Sequence, residues 1–339
     1  PMDDILTMQV WIPRYKYKVW NYNADGTKSS NEQEIETSFE DGTAKTGEIT
    51  CSDSISGTDG KASETCKLKS TNATCTDSLC NNKTYTHPAF TFGNEEIKGF
   101  WIGKFELTGD INNITTKPNL TSLVDQNIST FETNIMNMKN SGNIYGLSTN
   151  TDTHMIKNSE WGAVVYLSHS KYGTCTNGTC KEIVINNNSN FTTGCGAAAD
   201  SSSSTTCNAY NTVTGMLAST TFNIYGVYDM SGGSYEYTMA NIVSNDVTTM
   251  MSGNDSSDNS GYTGKVYDSG NYTVYTGIAY PNTKYYDKYS FNTDYNSIIN
   301  SKLGDGIKEV YKGSNVGWYS ENSYLANSDG PWFERSGYY

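Results

Sequence analysis

Eight cysteines fall in four close pairs, and this spacing limits the fold more than any other feature of the chain. They stand at Cys51 and Cys66, Cys75 and Cys80, Cys175 and Cys180, and Cys195 and Cys207. An even number, clustered locally in polar surroundings, predicts the disulfides 51–66, 75–80, 175–180 and 195–207. The Cys-x4-Cys spacing at 75–80 and 175–180 also lies within the range of zinc ligands, but no His accompanies the pairs. Loops this short are expected to stiffen hairpin tips, not to staple a core. Disulfides place the chain in an oxidising compartment, secreted or on a cell surface.

The charge balance narrows the partners. A net charge of −13 with only 17% charged residues argues against nucleic acid or anionic lipid. No apolar run approaches the ~18 residues that would cross a bilayer. The chain starts at Pro1, and flanking segments are expected beyond both ends. From Met8 to Trp20, Trp11, Tyr15, Tyr17 and Val19 alternate with Lys16 and Lys18, the period of a half-buried strand. Residues 21–86 then turn polar and Gly-rich around the first four cysteines, and read as a long insertion of hairpins and loops with some strand within it. Residues 88–108 read as two strands joined at Gly93-Asn94.

Two helices are expected. From Asp125 to Lys139, Ile128, Phe131, Ile135 and Met138 share one face, with Asp125 or Asn127 as N-cap. A second helix spans about Ser159 to Ser168, with Ser159 as N-cap, Glu160 in its first turn and Trp161 packed inward. Residues 171–207 form a second insertion holding the other two cysteine pairs.

Residues 226–237 read Gly-Val-Tyr-Asp-Met-Ser-Gly-Gly-Ser-Tyr-Glu-Tyr. Taken alone, the run is a Gly-rich turn between strands with Glu236 in an ion pair, or a turn whose carbonyls and carboxylate face one hard cation. It resembles the Gly-Leu-Tyr-Asp-Met-Ser-Gly-Asn-Val-Trp-Glu-Trp signature of the formylglycine-generating enzyme (sulfatase-modifying factor) family. Three further segments are similar to that family in the same order: Met8 to Pro13, Gly99 to Thr108, and Asn158 to Tyr166. The resemblance implies an α+β, C-type-lectin-like fold with two helices, small antiparallel sheets and long disulfide-pinned insertions, as one domain over residues 8–339. It also implies one structural Ca²⁺, held by the carbonyls of Gly232 and Ser234 and the carboxylate of Glu236. Gly233 stands where the family has Asn, which would loosen that turn. The segment Trp332 to Tyr339 is similar to the family's aromatic-Arg-Gly-Gly stretch.

The same resemblance counts against catalysis. The family's oxidation chemistry uses a reactive cysteine pair near the C-terminus, and no cysteine follows Cys207. The histidines of iron-dependent relatives have no match, since only His87, His154 and His169 occur. No Ser-His-Asp order, phosphate loop or HExxH is present. Residues 245–339 hold more than half of the 26 tyrosines, mixed with Asn, Asp, Ser and Gly. Tyrosine offers contact area, a hydroxyl and few rotatable bonds, as in a binding surface. Some proteins with this scaffold are diversified by retroelements that randomise adenine-containing codons, and the composition here is similar. The expected function is binding of an extracellular ligand, protein or glycan, through Tyr262, Tyr275, Tyr285, Tyr286, Trp318, Tyr319 and Trp332. Competing readings are a degenerate or metal-dependent enzyme and a pilin-like or surface-layer subunit.

Overall fold

Arg14 breaks the first expected strand in two. The computed structural model describes residues 4–20, 34–55, 62–197, 203–246, 249–254, 256–268, 270–293, 301–307, 309 and 324–337. Strand β1 (Gln9–Pro13) pairs with β9 (Gly99–Gly103), while β2 (Tyr15–Lys18) enters a different sheet. Between them the Arg14 guanidinium is buried, 2.8 Å from Glu40 and 2.9 Å from Glu96, and it donates to Phe90 O and Ile97 O. The break reverses part of the expected pattern. Tyr15, Tyr17 and Val19 are buried, but in β1 it is Ile12 that points inward. Trp11 lies outside at 40% exposed, 5.3 Å from the ring of Trp101 opposite it.

The expected insertion at 21–86 is not peripheral. Its described part supplies β3 (Thr37–Phe39), β4 (Ile49–Ile55), β5 (Ala62–Leu68) and β6 (Thr84–Thr86), which join β2 in a five-stranded sheet of order β3-β2-β6-β4-β5. Ile35, Ile49, Leu68 and Tyr85 lie in the same apolar cluster as Tyr15, Tyr17 and Trp161. All four expected disulfides are present. Cys51 and Cys66 face each other across β4–β5, and Cys66, Cys75 and Cys80 belong to the core cluster, so these bonds staple the core as well as hairpin tips. Closing a 15-residue loop stabilises the fold by about 3 kcal/mol through the unfolded chain. A third helix, the single turn α1 (Asp77–Cys80), sits inside the second disulfide loop. In the Cys175–Cys180 loop, Asn177 and Gly178 take positive φ and reverse the chain between Thr176 and Thr179.

The hairpin expected at Gly93-Asn94 forms, though from the short β7 (Thr91–Phe92) and β8 (Glu95–Glu96). A second hairpin joins β10 (Thr108–Asp110) to β11 (Asn113–Thr115), and β12 (Cys195–Gly196) pairs with β13 (Asn208–Ala209) beside the last disulfide. Helix α2 (Ile128–Asn137) starts after Asn127, with Ile128 and Ile135 buried. Helix α3 (Asn158–Ser168) has Lys157, not Ser159, at its N-cap position. Glu160 accepts the Lys157 N–H at 2.9 Å, and Ser159 N–H donates to Asp287 instead. This helix is buried on almost every side, because sheets and loops surround it. Val164 and Val165 each contribute about 1.5–3 kcal/mol by burial. Gly162 is required: a Cβ there would lie 2.1 Å from Gly304 O.

Beyond the turn at 226–236, β14 (Glu236–Ile242) lies between the parallel β18 (Asp287–Tyr289) and the antiparallel β19 (Trp332–Arg335). Strands β15 (Met251–Gly253), β16 (Gly264–Asp268) and β17 (Asn271–Tyr275) form a separate three-stranded sheet. The β4–β6, β14–β18 and β15–β16 pairings are parallel, so the sheets are mixed and not purely antiparallel. The fold class is α+β. No helix among the described residues is long and apolar enough to cross a membrane.

Candidate functional site

A cleft of about 540 Å³ opens between the five-stranded sheet, the start of α3 and the stretch Asn282–Tyr289. Its wall carries Lys157, Lys284, Lys288 and Lys302 beside Asp53, Glu64, Asp287 and Asp305, with Tyr85, Tyr286 and Tyr289 between them. Most of these charges are matched. Lys302 lies 2.8 Å from Asp53 and Lys157 3.5 Å from Asp287, while Lys284 reaches 2.8 Å to Asp152 just behind the wall. Two of the acids take backbone donors: Glu64 accepts Leu303 N–H, and Asp305 accepts Lys302 and Ile307 N–H. Asn94, Thr91, Ser159, Asn282 and Thr283 add neutral polar groups.

Behind the cleft His154 is clamped between carboxylates, 3.3 Å from Asp152 and 3.1 Å from Glu160. Burial alone would lower its pKa, but Glu160 and Asp152 outweigh burial and raise it to about 10. Burial pushes Glu160 upward too, yet His154 and Lys157 win and hold it below the usual carboxylate range. Asp287 is likewise lowered against burial, by Lys157 and Lys302. Phe92 stacks on His154 at 4.9 Å and carries the Lys284 ammonium at 4.5 Å. Ion pairs and rings thus fix this wall of the cleft, and the Cys51–Cys66 disulfide lies in the sheet beside it.

The expected ligand-facing aromatics divide. Tyr262 and Trp332 are interior, at 1% and 5% exposure, in one cluster with Met239 and Ile135. Tyr262 stacks on Tyr280 at 4.5 Å, and the Trp332 indole donates to Ser252 O. Rings so enclosed pack the core and do not present faces to a ligand. Tyr286 is also mostly buried, but it lines the cleft. Tyr285 braces the wall, donating to Asp152 at 3.1 Å. Tyr275 is half-buried at the end of β17, away from the cleft-lining residues. Trp318 and Tyr319 lie outside the described residues. Sequence reasoning missed the cleft lysines and their acids. The motif Lys284-Tyr285-Tyr286-Asp287-Lys288, three charges in five residues of a Tyr-rich region, was the available signal.

The Gly-rich turn holds a second constellation. Gly232 and Gly233 have φ of 74° and 83°, values that favour glycine. The Gly232 N–H donates to Ser336 O and the Gly233 N–H to Asn186 O. The space beside Gly233 is filled by Glu106: an added Cβ would lie 2.5 Å from Glu106 Oε1, which also accepts the Ser234 N–H at 3.0 Å. The absence of a side chain at 233 thus leaves room that the Glu106 carboxylate occupies. Asp229 accepts from Asn186 and Gly194, and Glu236 accepts from the Ser336 hydroxyl at 2.5 Å. Burial raises all three carboxyls above their ordinary range, and Asp229 adds repulsion at Glu106 and Glu236. Arg335, whose guanidinium stacks 3.8 Å from the Trp161 ring, lowers Glu236 only in part. Glu106 and Asp229 stood within motifs the sequence had flagged, but only the fold brings them together.

Neither protein-family models nor curated proteins match this chain.

Proposed function

We propose that the protein is an extracellular, non-enzymatic ligand-binding protein, adhesin- or receptor-like, on a formylglycine-generating-enzyme-type scaffold, and that its ligand sits in the cleft beside Asn282–Tyr289. The observation that carries this reading is the cleft's position. Its floor belongs to the disulfide-stapled sheet and α3, and its rim to the Tyr/Asn-rich region expected to bind. Its volume is that of a small-molecule or single-saccharide site. Its charges are balanced in sign, four lysines against four acids on the wall, which suits a neutral, hydroxyl-rich glycan better than a polyanion. The non-enzymatic part is supported by the cysteines, all of which are disulfide-bonded.

The test is a glycan array probed with the full chain, followed by calorimetry on the best neutral oligosaccharide. Asn282→Ala and Lys288→Ala are expected to weaken binding at least tenfold while the fold is retained. Unchanged affinity in both variants would remove the cleft from the ligand site.

A structural Ca²⁺ at Gly232, Ser234 and Glu236 belongs to the same reading. Its support is chemical: hard oxygen donors, and three buried carboxyls with Arg335 as the cation acting on Glu236. Bound calcium would rigidify the turn and take no part in chemistry. Titrating calcium into chelator-treated protein should raise its melting temperature, and Glu236→Gln should abolish that rise.

A further inference from the structure

Strand β17 ends a three-stranded sheet, and no named strand among the described residues lies along its outer edge. Its ladder with β16 runs from Gly264 opposite Tyr275 to Asp268 opposite Asn271. Lys265 N–H donates the other way, to Met250 O. Alternation along an antiparallel ladder therefore turns the backbone of Asn271, Thr273 and Tyr275 toward β16, and the N–H and C=O groups of Tyr272 and Val274 outward. Val274 is 64% exposed and nearby Ile278 50%.

Sheet edges are ordinarily guarded by lysine, proline, a bulge or a covering element. Here no charged residue and no proline occurs from Gly270 to Tyr280, and β17 reads Asn-Tyr-Thr-Val-Tyr, residues that favour extended backbone. Two copies of a chain carrying −13 repel over most of their surfaces, and an uncharged edge is where they can meet. The strand is also nearly self-complementary about Thr273. A two-fold antiparallel pairing sets Thr273 against its own copy and Tyr272 against Val274. The outward groups of Tyr272 and Val274 then exchange both backbone hydrogen bonds, and the side chains form aromatic–β-branched pairs. We infer that β17 of one copy pairs with β17 of a second, merging two sheets across an isologous interface.

One strand pairing buries little surface, so the dimer is weak and concentration-dependent. Sedimentation equilibrium of the full chain from about 5 to about 500 μM tests it. The wild type is expected to show a reversible monomer–dimer equilibrium. Val274→Lys, which places a charge on the edge, and Val274→Pro, which removes one outward N–H and leaves the β16 ladder intact, should each raise the dissociation constant at least tenfold. Circular dichroism should confirm that both variants stay folded. Val213→Lys, at an 81%-exposed position outside the sheet, should change nothing. A chain monomeric throughout the range overturns the inference. So does a dimer indifferent to both Val274 variants, an open-ended series of oligomers, or a monomer whose edge takes only a foreign extended peptide.

Discussion

Two clusters of carboxylates, one around Glu160 and one reaching Trp161 in the same first turn of α3, respond to desolvation in opposite ways. At the His154 wall, Glu160, Asp152 and Asp287 alternate with His154, Lys157, Lys284 and Lys302, and all three acids are held below their ordinary range. At the Gly232–Gly233 turn, Glu106, Asp229 and Glu236 face one another with hydrogen-bond donors but little positive charge, and all three are raised. Desolvation opposes ionisation in both places, so partners decide the sign. The first cluster is a set of completed pairs. The second is a local excess of negative charge that a proton or a cation would relieve.

The largest effect should come from breaking the completed set. Glu160→Ala removes the acceptor of the Lys157 N–H and leaves the half-buried His154 imidazolium with only Asp152 and the field of Glu132. Chemical denaturation should show a loss of about 3–5 kcal/mol. Next comes Gly233→Ala, which forces a Cβ into Glu106 at a positive φ. A loss of about 2–3 kcal/mol is expected, and Glu106→Ala in the same chain should recover part of it.

A smaller effect separates the two behaviours by pH. Glu309 is a further cation-poor acid, outside the turn: it accepts from Tyr166 and from Gly304 N–H, and burial pushes it up to about 8 from 4.5. The folded protein therefore holds a proton that the unfolded chain releases. Its stabilising contribution is full below about pH 4.5 and is lost as pH rises through about 8. His154, raised from 6.5 to about 10, loses its contribution only above 6.5. Between pH 5 and 6.5 the melting temperature of the wild type should already fall, and Glu309→Gln should make that slope shallower, the raised acids of the turn supplying the remainder. An unchanged slope would show that Glu309 is ionised in the fold. Smallest is Glu106→Gln, which keeps an acceptor for Ser234 and replaces an acid whose ionisation burial and Asp229 disfavour. At pH 7 without calcium it should be neutral or stabilising by up to about 1 kcal/mol, the opposite sign to Glu160→Ala.

What the sequence made legible was local. Cysteines five to fifteen residues apart could find only near partners, and α2 was visible because its apolar residues repeat at helical spacing. The break at Arg14 was hidden: the alternation from Trp11 to Val19 is continuous in sequence, and only the remote acids Glu40 and Glu96 explain why the chain changes sheet there. Residues 21–86 looked peripheral because their polar residues outnumber Ile35, Ile49, Leu68 and Tyr85, yet those few suffice for one face of a sheet. The tyrosines misled for a related reason. Tyr262 and Tyr275 have the same composition around them, and only the fold sends one into the core and leaves the other at an edge. The turn was legible as a motif, but its main occupant, Glu106, comes from a segment more than a hundred residues earlier.

That occupancy ties two distant positions into one heritable choice. A lineage that acquires a side chain at 233 must shorten the residue at 106, and one that keeps Glu106 is confined to glycine at 233. Across any set of descendants of this chain the two sites should change together or not at all, so their joint history would record the interior of the turn.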